Sequence, residues 1–191
     1  FDLVLVSAGG NDFVDDFLQS TFRGAAPMSP EAAHQRVVAT GRYAEVLARY
    51  RAFVTAFQAI RPHTPILAHT YDYPRELGRP GRLTLGNVGA AALLKKGVGP
   101  WIGNKVAHVL PRIEQQRAFA RLLIDGFVDH VLIPLRDDRT TGKVFDFVDL
   151  RGVLTRSDQW FDEMHPTGAG FAALAAKFRQ QMRAKLEIKL G

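Results

Sequence analysis

An aspartate and a histidine three residues apart form a pair that could do acid–base chemistry. They lie in the segment Asp162-Glu163-Met164-His165-Pro166, just before a stretch with helical periodicity. A carboxylate at this spacing can accept a hydrogen bond from one ring nitrogen of the histidine and leave the other nitrogen free as a general base. Acidic residues are equally favourable near a helix N-terminus. The segment alone therefore fits either a catalytic pair or a helix start.

A second polar segment, Gly9-Gly10-Asn11-Asp12, directly follows the first apolar run of the chain. Glycines allow the backbone to turn sharply and to approach a ligand closely. The Asn11 amide could then donate a hydrogen bond to a developing oxyanion, a contribution worth about 3–4 kcal/mol where such a donor is removed. A turn whose side chains cap the backbone would use the same residue types.

Together the two segments resemble the third and fifth conserved blocks of the SGNH/GDSL family of serine ester hydrolases. The matching residues are Gly9, Asn11, Asp12, Asp162, His165, Pro166, Thr167 and Gly170. Their order and strand context agree with the family, as does the position of the second block near the C-terminus. The resemblance spans essentially the whole chain as architecture, although fewer than ten residues are diagnostic.

The resemblance implies a hydrolase that cleaves small acyl esters, such as lipid, acetylated-sugar or aryl esters, through a serine acyl-enzyme. By this resemblance Asn11 would stabilise the oxyanion, His165 would be the general base, and Asp162 would orient the histidine. Neither a metal nor another cofactor is implied.

The nucleophilic serine of the family has no counterpart in this chain. In the family it lies in a Gly-Asp-Ser block that precedes the Asn block, as does a glycine that supplies a second oxyanion donor. The serines here are Ser7, Ser20, Ser29 and Ser157, and none follows Gly-Asp. Ser7 also fails the Gly-x-Ser-x-Gly pattern of another hydrolase class, because Leu5 replaces the first glycine. We therefore expect the nucleophile upstream of Phe1, in a domain (residues 1–191) that is N-terminally incomplete.

Strands that alternate with long helices must position these residues. The predicted strands cover residues 2–7, 65–70 and 144–149, and the predicted helices cover residues 31–60, 105–130 and 168–186. A long loop with one short helix (Val88–Lys95) is predicted over residues 74–104. This alternation favours an α/β sandwich around a mainly parallel sheet. The resemblance makes it a three-layer α/β/α sandwich with a flavodoxin-like, doubly wound sheet whose first strand or strands are missing.

Ligands of such sheets bind at the carboxyl ends of the strands. The loops there carry Asn11 and Asp12, the segment Tyr71-Asp72-Tyr73-Pro74, and Asp162–His165. Tyr71 and Asp72 could shape a substrate pocket or belong to an ordinary rigid loop. Trp101 could line a lid or anchor the long loop. The candidate substrate-binding residues are Gly10, Asp12, Tyr71, Asp72 and Trp101.

The missing first strand of the family would lie directly against residues 2–7, because the family's strand order is 2-1-3-4-5. An apolar strand left unpaired at a sheet edge promotes aggregation. We therefore expect an upstream segment, from the same polypeptide or from a cleaved partner, to pair with residues 2–7.

The composition narrows the classes of function. The net charge is +6, but the basic residues are scattered along predicted helices without a dense run, which argues against nucleic-acid binding. The absence of cysteine excludes disulfides, thiolate metal sites and a cysteine nucleophile. The other histidines lack metal-ligand spacing. Apolar runs such as Val131–Leu135 are far shorter than the roughly 20 residues of a membrane-spanning helix.

Two further functions remain open at this point. A binding or scaffold domain could keep the fold without the nucleophile, since fold does not dictate function. An acyltransferase would use the same residues with an acceptor other than water. The sequence does not indicate the compartment.

Overall fold

The computed structural model describes residues 2–81 and 99–190 of the chain. Its sheet consists of three short strands, β1 (Val4–Leu5), β2 (Ile66–His69) and β3 (Phe145–Val148). All three are parallel and lie in the order β1-β2-β3. The mixed α/β class with a parallel sheet is therefore confirmed.

The middle strand, β2, is hydrogen-bonded on both sides. Ile66 is paired with Val4 of β1 and with Phe145 of β3. Ile66, Leu67 and Phe145 are completely buried, as is typical of parallel strands, which are usually apolar throughout. β1 is shorter than the predicted strand, although the amide of Val6 also donates to the carbonyl of Leu67 at 2.8 Å.

Helices make up most of the described chain. They are α1 (Asp16–Phe22), α2 (Pro30–Ala39), α3 (Arg42–Ile60), α4 (Gly103–Val106), α5 (Ile113–Phe127), α6 (Ile133–Asp137) and α7 (Gly168–Leu190). A π-helical turn at Val128–Leu132 joins α5 to α6. None of the helices within residues 2–81 and 99–190 is both long and apolar enough to cross a membrane.

The single helix predicted over residues 31–60 is wrong, because the structure divides it into α2 and α3. The break falls at Gly41, whose φ of 77° is left-handed and cannot continue a right-handed helix. The predicted start is confirmed: the Ser29 hydroxyl accepts a hydrogen bond from the amide of Ala32 at 3.2 Å, and Pro30 is the first helical residue.

The helix predicted over residues 105–130 also differs from the structure. Pro111 separates α4 from α5, since proline disfavours helical backbone at the residue before it. The helical path then continues beyond residue 130, through the π-helical turn and α6. The last helix begins at Gly168 as predicted and extends to Leu190. The predicted short helix Val88–Lys95 lies outside the described residues.

The hydrophobic core joins the sheet to the helices. It includes Leu18 and Phe22 of α1, Val54 of α3, and Phe119 of α5, all of which are fully buried. Phe22 and Phe119 pack edge-to-face with ring centroids 5.6 Å apart. This packing of α1 and α3 against α5 fixes the segment between β1 and α1, where the first candidate site residues lie.

Candidate active site

The carboxylate of Asp162 is fully buried and holds His165 in a defined position. One carboxylate oxygen, Oδ1, accepts hydrogen bonds from the backbone amides of Met164 and His165, both at 2.7 Å. The other, Oδ2, lies 2.9 Å from the ring nitrogen Nδ1 of His165. This arrangement favours a proton on Nδ1 and leaves the lone pair on Nε2, as a general base requires.

The side chain of His165 is only partly covered by the protein. The side chain is 55% exposed, and Nε2 has no hydrogen-bond partner within residues 2–81 and 99–190. Because α7 begins only at Gly168, Asp162 lies outside its first turn. The observed geometry is therefore that of an oriented aspartate–histidine pair, not of a helix start.

Backbone contacts fix the turn that carries this pair. The amide of Phe161 donates to the carbonyl of His165 at 2.8 Å, and the amide of Thr167 donates to the carbonyl of Gln159 at 2.8 Å. A side chain at Gly170 would place its Cβ 2.8 Å from Cβ of Pro166. The close approach between Pro166 and the first turn of α7 therefore requires a glycine at position 170.

The Gly9-Gly10-Asn11-Asp12 segment enters a short 3-10 helix, Gly10–Phe13, with Gly9 at a left-handed φ of 95°. A Cβ on Gly10 would lie 2.7 Å from the ring of Tyr71. The Gly10 amide donates to the Tyr71 hydroxyl at 3.0 Å. The two glycines are therefore required by a left-handed turn and by a close aromatic contact.

Asn11 is the exposed residue of this turn. Its side-chain amide has no hydrogen-bond partner among the described residues, so it does not cap the turn and is free to bind a ligand. The neighbouring Asp12 instead forms an ion pair with Arg49 at 3.2 Å. The turn is therefore not capped by Asn11, and the role of this amide as an oxyanion donor stays a prediction.

Two tyrosine hydroxyls support the turn. The hydroxyl of Tyr50, on α3, donates to the carbonyl of Ala8 at 2.9 Å, and Tyr71 accepts from Gly10. Burial raises the pKa of Tyr50, and the nearby Tyr71 and Asp12 raise it further. Burial also raises the pKa of Tyr71. Both hydroxyls therefore keep their protons at neutral pH and remain dipoles rather than charges.

Trp101 connects the two candidate segments. Its ring packs edge-on against the ring of His165, with centroids 4.9 Å apart and an interplanar angle of 75°. Its carbonyl accepts a hydrogen bond from the amide of Asp15 at 3.0 Å. Trp101 and Asn11 also line one open depression. Trp101 therefore contacts His165 and also lines a depression together with Asn11.

Glu163 is a structural residue of the site that the sequence interpretation missed. It is completely buried, and its two carboxylate oxygens accept hydrogen bonds from four backbone amides. The donors are Gly78, Trp101, Ile102 and Gly103. The carboxylate therefore fixes the loop that carries Trp101 to the segment that carries His165. Its position between Asp162 and His165 was the only signal in the sequence.

Asp72 is held by backbone groups of the loop after β3. Its carboxylate accepts hydrogen bonds from the amides of Tyr73 at 2.7 Å and of Gly152 and Leu154, each at 2.6 Å. Burial raises its pKa, and these hydrogen bonds counteract the rise. Asp72 and Tyr71 both line a pocket beside the site, where a substrate contact stays a prediction.

The serines of the chain all lie in the described residues, and none is bonded to His165. Ser20 donates to the carbonyl of Phe17 at 2.9 Å, and Ser29 caps α2. Ser7 instead interacts with Tyr71 and lowers its pKa, and Ser157 interacts with Glu76 and lowers its pKa. Within residues 2–81 and 99–190, no three His, Asp or Glu side chains are grouped to hold a metal ion.

No model of a known protein family, no curated protein and no solved structure matches this chain. Its function must therefore be argued from the site itself.

Proposed function

We propose that this chain is the C-terminal, larger part of a serine ester hydrolase of the SGNH/GDSL type. The observation that carries the proposal is the buried Asp162 carboxylate bonded to Nδ1 of His165, whose side chain is 55% exposed and whose Nε2 has no partner among the described residues. The Asn11 amide, which has no partner among the described residues and lines a depression with Trp101, supports it. An oriented imidazole whose Nε2 has no partner among the described residues is the arrangement that a general base requires.

In the proposed reaction His165 acts first as a base and then as an acid in each acyl transfer. Nε2 of His165 takes the proton of the serine hydroxyl while the serine oxygen bonds to the ester carbonyl carbon. The carbonyl electrons move to the oxygen, where the Asn11 N–H stabilises the negative charge. Collapse of this intermediate breaks the bond to the alcohol, which receives the proton from His165. Water then repeats the sequence and releases the acid.

The nucleophile would come from an upstream segment that pairs with β1. Within the described part of the chain β1 is bonded only to β2, and Leu5 is 59% exposed. Beside it lies a mostly apolar groove of about 320 Å³ whose lining includes Val6, Val46, Tyr50 and Phe53. A strand and a helix added at this edge would cover these apolar side chains and place a serine at the carboxyl end of the sheet.

The same addition would complete a three-layer, flavodoxin-like sheet. Strands β1, β2 and β3 would correspond to strands 3, 4 and 5 of the order 2-1-3-4-5, in which they are parallel neighbours. The parallel order β1-β2-β3 supports this proposal.

Ester hydrolysis by the polypeptide that includes the upstream segment tests the proposal. We expect p-nitrophenyl butyrate to be hydrolysed, and His165→Ala to abolish turnover without unfolding the protein. His108→Ala is the matched control, since that ring is bonded to the carbonyl of Phe22 away from the site. Equal turnover in wild type and His165→Ala would contradict the proposal.

The upstream sequence separates the proposal from a non-catalytic domain. A Gly-Asp-Ser at the end of a strand is required by the hydrolase, and its absence would favour the binding or scaffold domain. Product analysis with an added alcohol would distinguish hydrolysis from acyl transfer.

A further inference from the structure

An apolar pocket lies beneath the rim that carries the candidate catalytic residues. Gly9 and Gly10 form one wall, Tyr71 lies at its side, and Met164, the neighbour of His165, forms part of another. The back wall is supplied by α5. Its residues there are Ala120, Leu123, Ile124 and Phe127. An occupant would therefore lie between the turn of Asn11 and the turn of His165.

Two polar side chains in the wall of this pocket, Asp72 and Tyr71, are already bonded to the protein, whereas the buried indole Nε1 of Trp160 has no partner among the described residues. The Asp72 carboxylate accepts three backbone amides, and the Tyr71 hydroxyl accepts the amide of Gly10. No lysine or arginine contributes to the wall. The pocket therefore offers no free charge to a ligand, and the removal of apolar surface from water is the main gain on binding.

We propose that this pocket binds a short, unbranched hydrocarbon chain, the acyl chain of the ester. Its role in the reaction rests on the proposed function, whereas binding itself does not. The pocket has a volume of about 70 Å³. Because an apolar cavity of about 150 Å³ holds the six carbons of benzene, the pocket accommodates a chain of about three carbon atoms. The favoured acyl group is therefore butanoyl.

Ala120 lies in the wall of the pocket. It is 1% exposed and has the smallest side chain of the four wall residues on α5. A larger side chain there would fill the space. Leu123 lies one turn further along α5. Its truncation to alanine would have the opposite effect and lengthen the pocket.

Methyl ketones test the proposal without any reaction, because they present the carbonyl of an ester but cannot be hydrolysed. The probes are acetone, 2-butanone, 2-pentanone, 2-hexanone and 2-heptanone, titrated into the full chain. The chain has three methionines, so ¹³C-methyl methionine spectra give a Met164 signal, with Met28 and Met182 as internal references.

We expect the Met164 signal to shift with an affinity that rises about fourfold for each added methylene, from acetone to 2-pentanone, and then levels off. Fourfold corresponds to about 0.8 kcal/mol per buried methylene. Ala120→Leu should remove this dependence. Ala118→Leu, on the same helix but outside the pocket wall, should retain it. Leu123→Ala should extend the rise to 2-heptanone, which keeps the test informative if Ala120→Leu does not fold.

The results separate this proposal from the proposed function. Affinities that do not depend on chain length, or that respond equally to Ala120→Leu and Ala118→Leu, would overturn the pocket assignment even if the protein hydrolyses esters. The expected chain-length dependence in a protein without ester hydrolysis would retain the pocket and contradict the enzyme.

Discussion

Glu163→Gln should strongly destabilise the domain, although it changes only one atom of a buried side chain. One carboxylate oxygen accepts the amides of Trp101 and Ile102, and the other accepts those of Gly78 and Gly103. A glutamine must turn its NH₂ group toward one of these pairs of donors. Two hydrogen bonds to a charged acceptor are then lost, at about 1.5–3 kcal/mol each, so the expected loss is about 3–6 kcal/mol.

Thermal unfolding monitored by circular dichroism measures this loss of stability. For a domain of this size about 2–4 °C is lost per kcal/mol, which gives a fall in Tm of roughly 6–24 °C. Glu114→Gln is the matched control, because Glu114 is exposed in the first turn of α5 and should contribute less than about 1 kcal/mol. A Tm of Glu163→Gln equal to that of Glu114→Gln would refute the role assigned to the four amide contacts.

Three other substitutions test separate features. Asn11→Ala should lower ester turnover by about 10²–10³-fold with an unchanged Tm, because the side chain is exposed; a much smaller effect in a kinetic assay would contradict the oxyanion role. Gly41→Ala should lower the free energy of unfolding in urea by about 1–2 kcal/mol, because φ at residue 41 is left-handed. An unchanged free energy of unfolding would argue against the left-handed break between α2 and α3. Hydrogen bonds from the amides of Thr141 and Thr140 lower the pKa of Asp138, so their stabilisation is present above about pH 4 and lost as pH falls through the lowered pKa. The stability of Asp138→Asn should therefore depend less on pH below about pH 4 than that of the wild-type protein. The same pH dependence in both proteins would contradict the stabilising role of the Asp138 carboxylate.

Features that depend on local sequence could be predicted. The apolar runs that became β1, β2 and β3 are bounded by turn residues, and Ser29-Pro30 marks the start of α2 through its own side chains. Asp162 and His165 are three residues apart, so a tight turn alone brings them together. Their contact needed no knowledge of the rest of the fold.

Features that depend on tertiary contacts could not be predicted. Val131–Leu135 resembles a strand in length, but the chain is helical there, and periodicity alone does not separate a buried helix from a buried strand. Glu163 acquires its role from amides that are 60 or more residues away in the chain. The helical break at Gly41 depends on its left-handed conformation, which an apolar pattern on either side does not show.

Covalent labelling of the nucleophile tests the central claim most directly. The polypeptide with its upstream segment would be treated with an alkyl fluorophosphonate, digested, and analysed by mass spectrometry. We predict one labelled serine, upstream of Phe1, and loss of the label in His165→Ala. A label on Ser7, Ser20, Ser29 or Ser157, or no label in the folded wild-type protein, would contradict it.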